Sequence, residues 1–149
     1  MKTILKQLSD AGQSIWYDNI NRSLLESGAL KAMIERGEIR GVTSNPSIFN
    51  KAISESGVYE EDIARFAARG MDKMEVYEAL AVQDIQAAAD LFRPIYEASE
   101  GVDGYVSLEV NPYLARETRE TIQEALRLWE LVDRSNLMVK IPAPKEGLP

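Results

Sequence analysis

Four short apolar runs, each ending in polar residues, punctuate an otherwise helical pattern. They are Ser14-Ile15-Trp16-Tyr17-Asp18, Gly41-Val42-Thr43-Ser44-Asn45, Tyr105-Val106-Ser107-Leu108-Glu109-Val110 and Leu137-Met138-Val139-Lys140-Ile141-Pro142. Runs of this length, bounded by glycine, asparagine and proline, read as strands. Proline follows strands two, three and four, as Pro46, Pro112 and Pro142, where it fits a helix first turn or an extended exit.

The intervening segments carry helical periodicity. The first ten residues place Ile4, Leu5 and Leu8 at helical spacing, with a stop at Gly12. Residues 21–37 read as helical with a break near Gly28, and Leu24, Leu25, Leu30, Met33 and Ile34 supply an apolar face. Residues 46–99 are helical almost throughout, broken at Gly57 and at Gly70-Met71-Asp72. Asp72 is placed to cap a long helix bearing Val76, Leu80, Ile85, Ala88 and Leu91, which Pro94 is expected to bend or end. Residues 115–132 predict a further amphipathic helix, its apolar face formed by Leu114, Ile122, Leu126 and Trp129. Trp16, Trp129, Phe66 and Phe92 are expected in the core.

Strands that alternate with helices predict an α/β fold with parallel pairing and helices covering the sheet. Strand alternation sets Met138 and Lys140 against Leu137, Val139 and Ile141, and Ser107 and Glu109 against Val106, Leu108 and Val110. Thr43 and Asn45 likewise oppose Val42, and Asp18 shares a face with Trp16. Each strand thus has an apolar face for helices and a mixed face that, in a parallel barrel, is the interior.

Composition narrows the chemistry. At 149 residues, 45% hydrophobic and 28% charged, the chain has the make-up of one globular domain. No apolar run approaches the roughly 18 residues of a membrane span, and residues 1–10 do not read as a secretory signal, so the cytoplasm is the expected location. The net charge of −7, with Lys and Arg scattered among carboxylates, argues against a nucleic-acid surface. Cysteine and histidine are both absent, which removes thiolate chemistry and the commonest general base. Acid–base work falls to Asp, Glu, Lys or Tyr.

The candidates are Asp18, Asn45, Glu109 and Lys140, all at carboxyl ends of strands. A bland role exists for each: Asp18 can cap a turn, Asn45 can shape the loop before Pro46, Glu109 can serve as an ion-pair partner, and Lys140 can reach solvent along its apolar stem. Together, a lysine near two carboxylates matches amine chemistry on a carbonyl, with Schiff-base formation and carboxylate-assisted proton transfer. Asp18, Asn45 and Glu109 also offer oxygen ligands for magnesium, but a lysine in the same cavity would repel the ion. No glycine-rich phosphate fingerprint is present, and neither cofactor nor metal is expected.

In order, spacing and context, Trp16-Tyr17-Asp18, Gly41-Val42-Thr43-Ser44-Asn45-Pro46-Ser47, Val106-Ser107-Leu108-Glu109-Val110 and Val139-Lys140-Ile141-Pro142 resemble the transaldolase family. The resemblance runs from about Gly12 to the last residue. It implies the (β/α)8 TIM-barrel family, with the first four or so β/α units present. Because such a barrel takes about 250 residues, residues 1–149 are expected to form a single domain that is the N-terminal part of one, cut after strand four.

The resemblance further implies transfer of a dihydroxyacetone unit between sugar phosphates in the pentose phosphate pathway. Lys140 would form the Schiff base with the ketose, Asp18 would take the hydroxyl proton during carbon–carbon cleavage, and Glu109 would shuttle protons through a water. Thr43 and Asn45 would hold that water and the three-carbon unit. A different expectation is a non-catalytic fragment or half-barrel assembly module of the same ancestry, and two copies closing on one another as a homo-oligomer.

Overall fold

The computed structural model describes residues 3–148; the first two residues of the expected leading helix, and the last residue of the expected domain, lie outside them. Seven α-helices and four strands follow in the order α1 (Ile4–Asp10), β1 (Trp16–Tyr17), α2 (Arg22–Glu26), α3 (Ala29–Glu35), β2 (Gly41–Val42), α4 (Pro46–Glu55), α5 (Glu60–Ala67), α6 (Lys73–Ala98), β3 (Val106–Glu109), α7 (Thr118–Val132) and β4 (Leu137–Lys140), among the described residues. The strands form one sheet in the order β1-β2-β3-β4, every pair parallel. This is the expected α/β architecture. Strands one and two are shorter than their apolar runs, because Asp18 and Asn45 already belong to the turns into α2 and α4.

Side-chain chemistry explains most helix starts. The carbonyl oxygen of Asn21 accepts from the Leu24 N–H at 2.9 Å, and that of Asn45 accepts from the Ile48 N–H at 2.9 Å, with Pro46 in the first turn of α4. At α6, Asp72 accepts from the Met74 and Glu75 N–H groups while Glu75 accepts from the Asp72 N–H, a reciprocal capping box. The expectation that Pro94 could end α6 is corrected: the helix runs on to Ala98. Pro94 and Asp90 are both exposed, so the carbonyl that loses its hydrogen bond faces water.

The main core lies between the sheet's apolar face and the helices. Val42, Val106, Leu108 and Leu137 meet Ile85, Ala88, Ala89 and Phe92 of α6, with Leu128 and Val132 from α7. Ala88 and Ala89 let the α6 backbone approach the strands closely. A smaller cluster joins Tyr59, Phe66, Val76 and Leu80 beneath α5.

Two expected core assignments are overturned. The buried face of α7 is Thr121, Leu128 and Val132, with Ala125 partly buried, whereas Ile122, Leu126 and Trp129 are 45%, 60% and 43% exposed. Small residues and a threonine whose Oγ1 bonds the Leu114 carbonyl at 2.7 Å form the stripe that packs, a stripe that hydrophobicity alone ranks second. Trp16 lies outside the core clusters: it pairs with Gly41 in the register, and a Cβ on Gly41 would come within 2.6 Å of the Trp16 ring. The indole is therefore laid over a residue with no side chain.

Asn136 anchors the start of β4. Fully buried, it donates from its amide to the Ala89 carbonyl at 2.8 Å and the Gly104 carbonyl at 2.9 Å, tying β4 to α6 and to the approach of β3. No helix among the described residues is long and apolar enough to cross a membrane.

Candidate active site

The pairings Tyr17 with Val42, Val42 with Val106, and Val106 with Leu137 set a row of apolar residues across all four strands. One residue further along, on the opposite face, come Asp18, Thr43, Ser107 and Met138. Three residues further along come Asn45, Glu109 and Lys140. Strand alternation thus stacks Ser107 below Glu109 and Met138 below Lys140, with Asp18, Thr43 and Asn45 just past the ends of β1 and β2.

Glu109 and Lys140 are direct partners in the β3–β4 register, and Lys140 Nζ lies 3.4 Å from Glu109 Oε2. The pair is half-buried, with side-chain exposures of 25% for Glu109 and 38% for Lys140. Solvent screening keeps its contribution to stability small, about 0–1 kcal/mol. Its consequence is placement: an amine and a carboxylate share one spot at the sheet's mixed face.

In the layer below, Ser107 Oγ donates to Thr43 Oγ1 at 2.8 Å. Beside it Ser44 Oγ donates to the Ser107 carbonyl at 2.7 Å, and the Thr43 N–H donates to the Tyr17 carbonyl at 2.9 Å. These bonds carry strand pairing past the end of β2 and hold Thr43 one strand away from Glu109. Ser44 and Ser107 were not among the candidates. The strand alternation that set Ser107 with Glu109 was the available signal.

Asn45 uses its carbonyl oxygen to cap α4, so its amide nitrogen is the group it has to offer. Asp18 is exposed, just beyond edge strand β1, and no ion pair or hydrogen bond joins it to Lys140 among the described residues. Three strand spacings, about 14 Å along the sheet, separate β1 from β4. The sheet therefore brings Glu109 and Lys140 together, sets Thr43 and Asn45 nearby, and leaves Asp18 at its far edge.

A cavity of about 710 Å³ opens beside this centre, between α4, α6 and α7 and the carboxyl end of β3. Glu109 and Asn45 belong to its wall, but Lys140, Thr43 and Asp18 do not, so it is not the space that the five candidates would share. Tyr77 also lines it. Burial pushes the Tyr77 phenol up, and the charge of Glu109 adds to that shift. Across the rim, Arg127 bridges Glu124 on α7 to Glu78 on α6.

A denser polar network lies behind α2, and sequence inspection missed it. Arg22 reaches Asp84 at 2.5 Å, Asp62 at 2.9 Å and Gln83 at 3.2 Å, and its own N–H donates to the Tyr59 hydroxyl at 2.8 Å. The Tyr59 hydroxyl in turn donates to Asp84 at 2.7 Å, and the guanidinium lies 5.2 Å from the Tyr59 ring centroid. Burial raises the Asp84 carboxyl, while the bonds from Tyr59 and Arg22 oppose that shift. Residues scattered over 62 positions leave no local pattern to read.

Fold and site together define a β/α sheet of the parallel-barrel kind carrying a lysine–carboxylate centre at its strand ends. The sequence model of the Transaldolase/Fructose-6-phosphate aldolase family matches residues 15–149, and the chain belongs to that family. The family is built on a TIM barrel, and the four-stranded parallel sheet is consistent with part of one. Transaldolase of Thermobifida fusca is 52% identical over 149 residues, covering 100% of this chain and 40% of the relative. Transaldolase of Thiobacillus denitrificans is 52% identical over 145 residues, covering 97% and 40%, and that of Mycobacterium tuberculosis is 50% identical over 145 residues, covering 97% and 39%. The chain thus spans about 40% of the length of these curated relatives.

Proposed function

We propose that the chain, as the N-terminal part of a TIM barrel, carries the Schiff-base portion of a transaldolase active site, with Lys140 as the nucleophilic amine and sugar phosphates as substrates. The Lys140 amine attacks the ketose carbonyl of fructose 6-phosphate or sedoheptulose 7-phosphate, and loss of water leaves an imine. Asp18, brought across the interior as the strands curl into a barrel, then takes the proton of the hydroxyl on the carbon that becomes the aldehyde, the adjacent carbon–carbon bond breaks, and its electron pair passes into the imine as an enamine. The three-carbon unit stays on Lys140 until an acceptor aldehyde such as glyceraldehyde 3-phosphate or erythrose 4-phosphate takes it, after which water hydrolyses the imine. Glu109 relays protons through a water in forming and breaking the imine, and Thr43 and Asn45 hold the water and the three-carbon unit.

The observation that carries the reading is the 3.4 Å approach of Glu109 Oε2 to Lys140 Nζ at neighbouring strand ends. A carboxylate in reach of the amine is what proton relay to a carbinolamine needs. The names of the relatives and the family match support the substrate class, and the cytoplasm is the compartment proposed. The test is intact mass after incubation with fructose 6-phosphate and borohydride. A reduced three-carbon adduct on the wild type, absent from Lys140→Met, is the expected result; no adduct on the wild type overturns the reading for this chain.

The exposed stripe of Ile122, Leu126 and Trp129 on α7 favours a second reading, a non-catalytic assembly module that presents an apolar face to a partner, including another copy. It predicts a self-associating chain in sedimentation whose behaviour Lys140→Met leaves unchanged.

A further inference from the structure

We infer that the Arg22–Tyr59–Asp84 network is a positioning device for Asp18, holding the turn from β1 to α2 so that the carboxylate stands at the carboxyl edge of the sheet. The inference rests on the reading of Asp18 as the proton acceptor in carbon–carbon cleavage.

Asp18 has little of its own to hold it. It is exposed, and it follows a strand only two residues long, Trp16–Tyr17, at the edge of the sheet. On its N-terminal side the Thr43 N–H holds the Tyr17 carbonyl, and on its other side its position is set by what fixes the next four residues. Ile20 is fully buried in the main core, Asn21 caps α2, and Arg22 is locked from three directions.

The lock reaches both backbone and side chain of one residue. The Tyr59 hydroxyl accepts from the Arg22 backbone N–H and donates to Asp84, while Asp84 accepts from the Arg22 guanidinium, so the three close a ring of hydrogen bonds. Asp84 is 1% exposed and Tyr59 is fully buried. Asp84 belongs to α6, whose later turns pack on β3, the strand that carries Glu109. The same helix thus underlies the placement of Glu109 and, through Arg22, of the Asp18 turn. A rigid fork meeting three acceptors is a task for arginine that lysine does not reproduce. Fixing reacting groups matters at the 1 Å scale, where displacement costs up to about a hundredfold in rate.

Placement of Asp18 has a readout that stability does not share. Borohydride reduces both imines on Lys140, the uncleaved hexose phosphate adduct and the three-carbon adduct once its enamine has taken a proton on carbon, and intact mass separates them. Their ratio is read only on protein that carries an adduct, so partial unfolding lowers the total without moving the ratio. Asp18→Asn sets the limit, with the uncleaved adduct dominating. Arg22→Lys and Tyr59→Phe, which keep charge and shape respectively, are expected to raise the ratio of uncleaved to cleaved adduct by about tenfold, the scale of a sub-ångström displacement. A ratio equal to wild type in both variants overturns the inference and leaves the Schiff-base reading standing. Wild type with no adduct of either kind overturns that reading and the inference with it.

Discussion

Glu109 and Lys140 face one another across β3 and β4 as register partners, 3.4 Å apart between Oε2 and Nζ. Parallel pairing without a bulge puts equal counts of residues on both strands, so one carboxylate and one amine arrive at the same height. Glu109→Gln preserves shape and removes the relay. Its expected effect is slower adduct formation, by about a hundredfold, with stability moved by less than about 1 kcal/mol because the pair is partly exposed. Time-resolved borohydride trapping and urea denaturation measure the two effects separately.

Removing the carboxylate behind α2 should be far more costly than removing the one at the strand ends. Asp84→Ala removes the acceptor of both Arg22 and the Tyr59 hydroxyl while Asp62 still pairs with the guanidinium, and the expected loss is about 3 kcal/mol, the low end for a broken buried pair. Tyr59→Phe deletes one hydroxyl and is expected to cost about 1–3 kcal/mol. Urea unfolding followed by tryptophan fluorescence gives both numbers, and equal values for the two variants would contradict the network geometry.

The two stripes of α7 make opposite predictions. Leu128→Ala opens a hole against the sheet and should cost about 2–5 kcal/mol. Leu126→Lys, two residues away on the exposed stripe, should change stability by less than about 0.5 kcal/mol. Circular-dichroism melts of both variants check which stripe packs. Sedimentation of Leu126→Lys beside wild type reports whether the exposed stripe drives self-association.

Acid titration should find the bridge between α6 and α7. The hydrogen bond from Arg127 holds the Glu124 carboxyl below its ordinary value of 4.5. A folded-state value below the unfolded one gives stability that is complete above about pH 4.5 and lost as pH falls through the folded value. The buried Asp84 works the other way: its carboxyl is raised from 3.8, so its contribution declines as pH rises from 3.8 through the folded value. Comparing wild type with Glu124→Gln isolates the first effect. The stability difference is expected to favour wild type at pH 6 and to shrink toward pH 3.5. Because the pair is solvent-screened, its size is about 0.5 kcal/mol or less.

Strand number, parallel pairing and the shared face of Glu109 and Lys140 were legible because they rest on local rules. Alternation at period two assigns Val106 and Leu108 inward and Ser107 and Glu109 to the other face whatever surrounds them, and asparagine or aspartate before a helix caps it by its own short reach. The ordered motifs around Asp18, Asn45, Glu109 and Lys140 likewise belong to the sequence. Which of them touch does not. The contact of Glu109 with Lys140 and the place of Asp18 beside the opposite edge strand depend on strand order and register, which arise only when the sheet assembles.

The same division explains the errors. On α7 both stripes have helical spacing, and hydrophobicity favoured Ile122, Leu126 and Trp129, but close packing on the strands selected Thr121, Ala125, Leu128 and Val132. Arg22, Tyr59 and Asp84 lie on three separate elements with no shared motif, and burial without water is what forces them to satisfy one another. Short-range stereochemistry is written in the order of residues; partnership between distant polar groups is decided only by the tertiary fold, because their energies depend on a dry environment that no segment has alone.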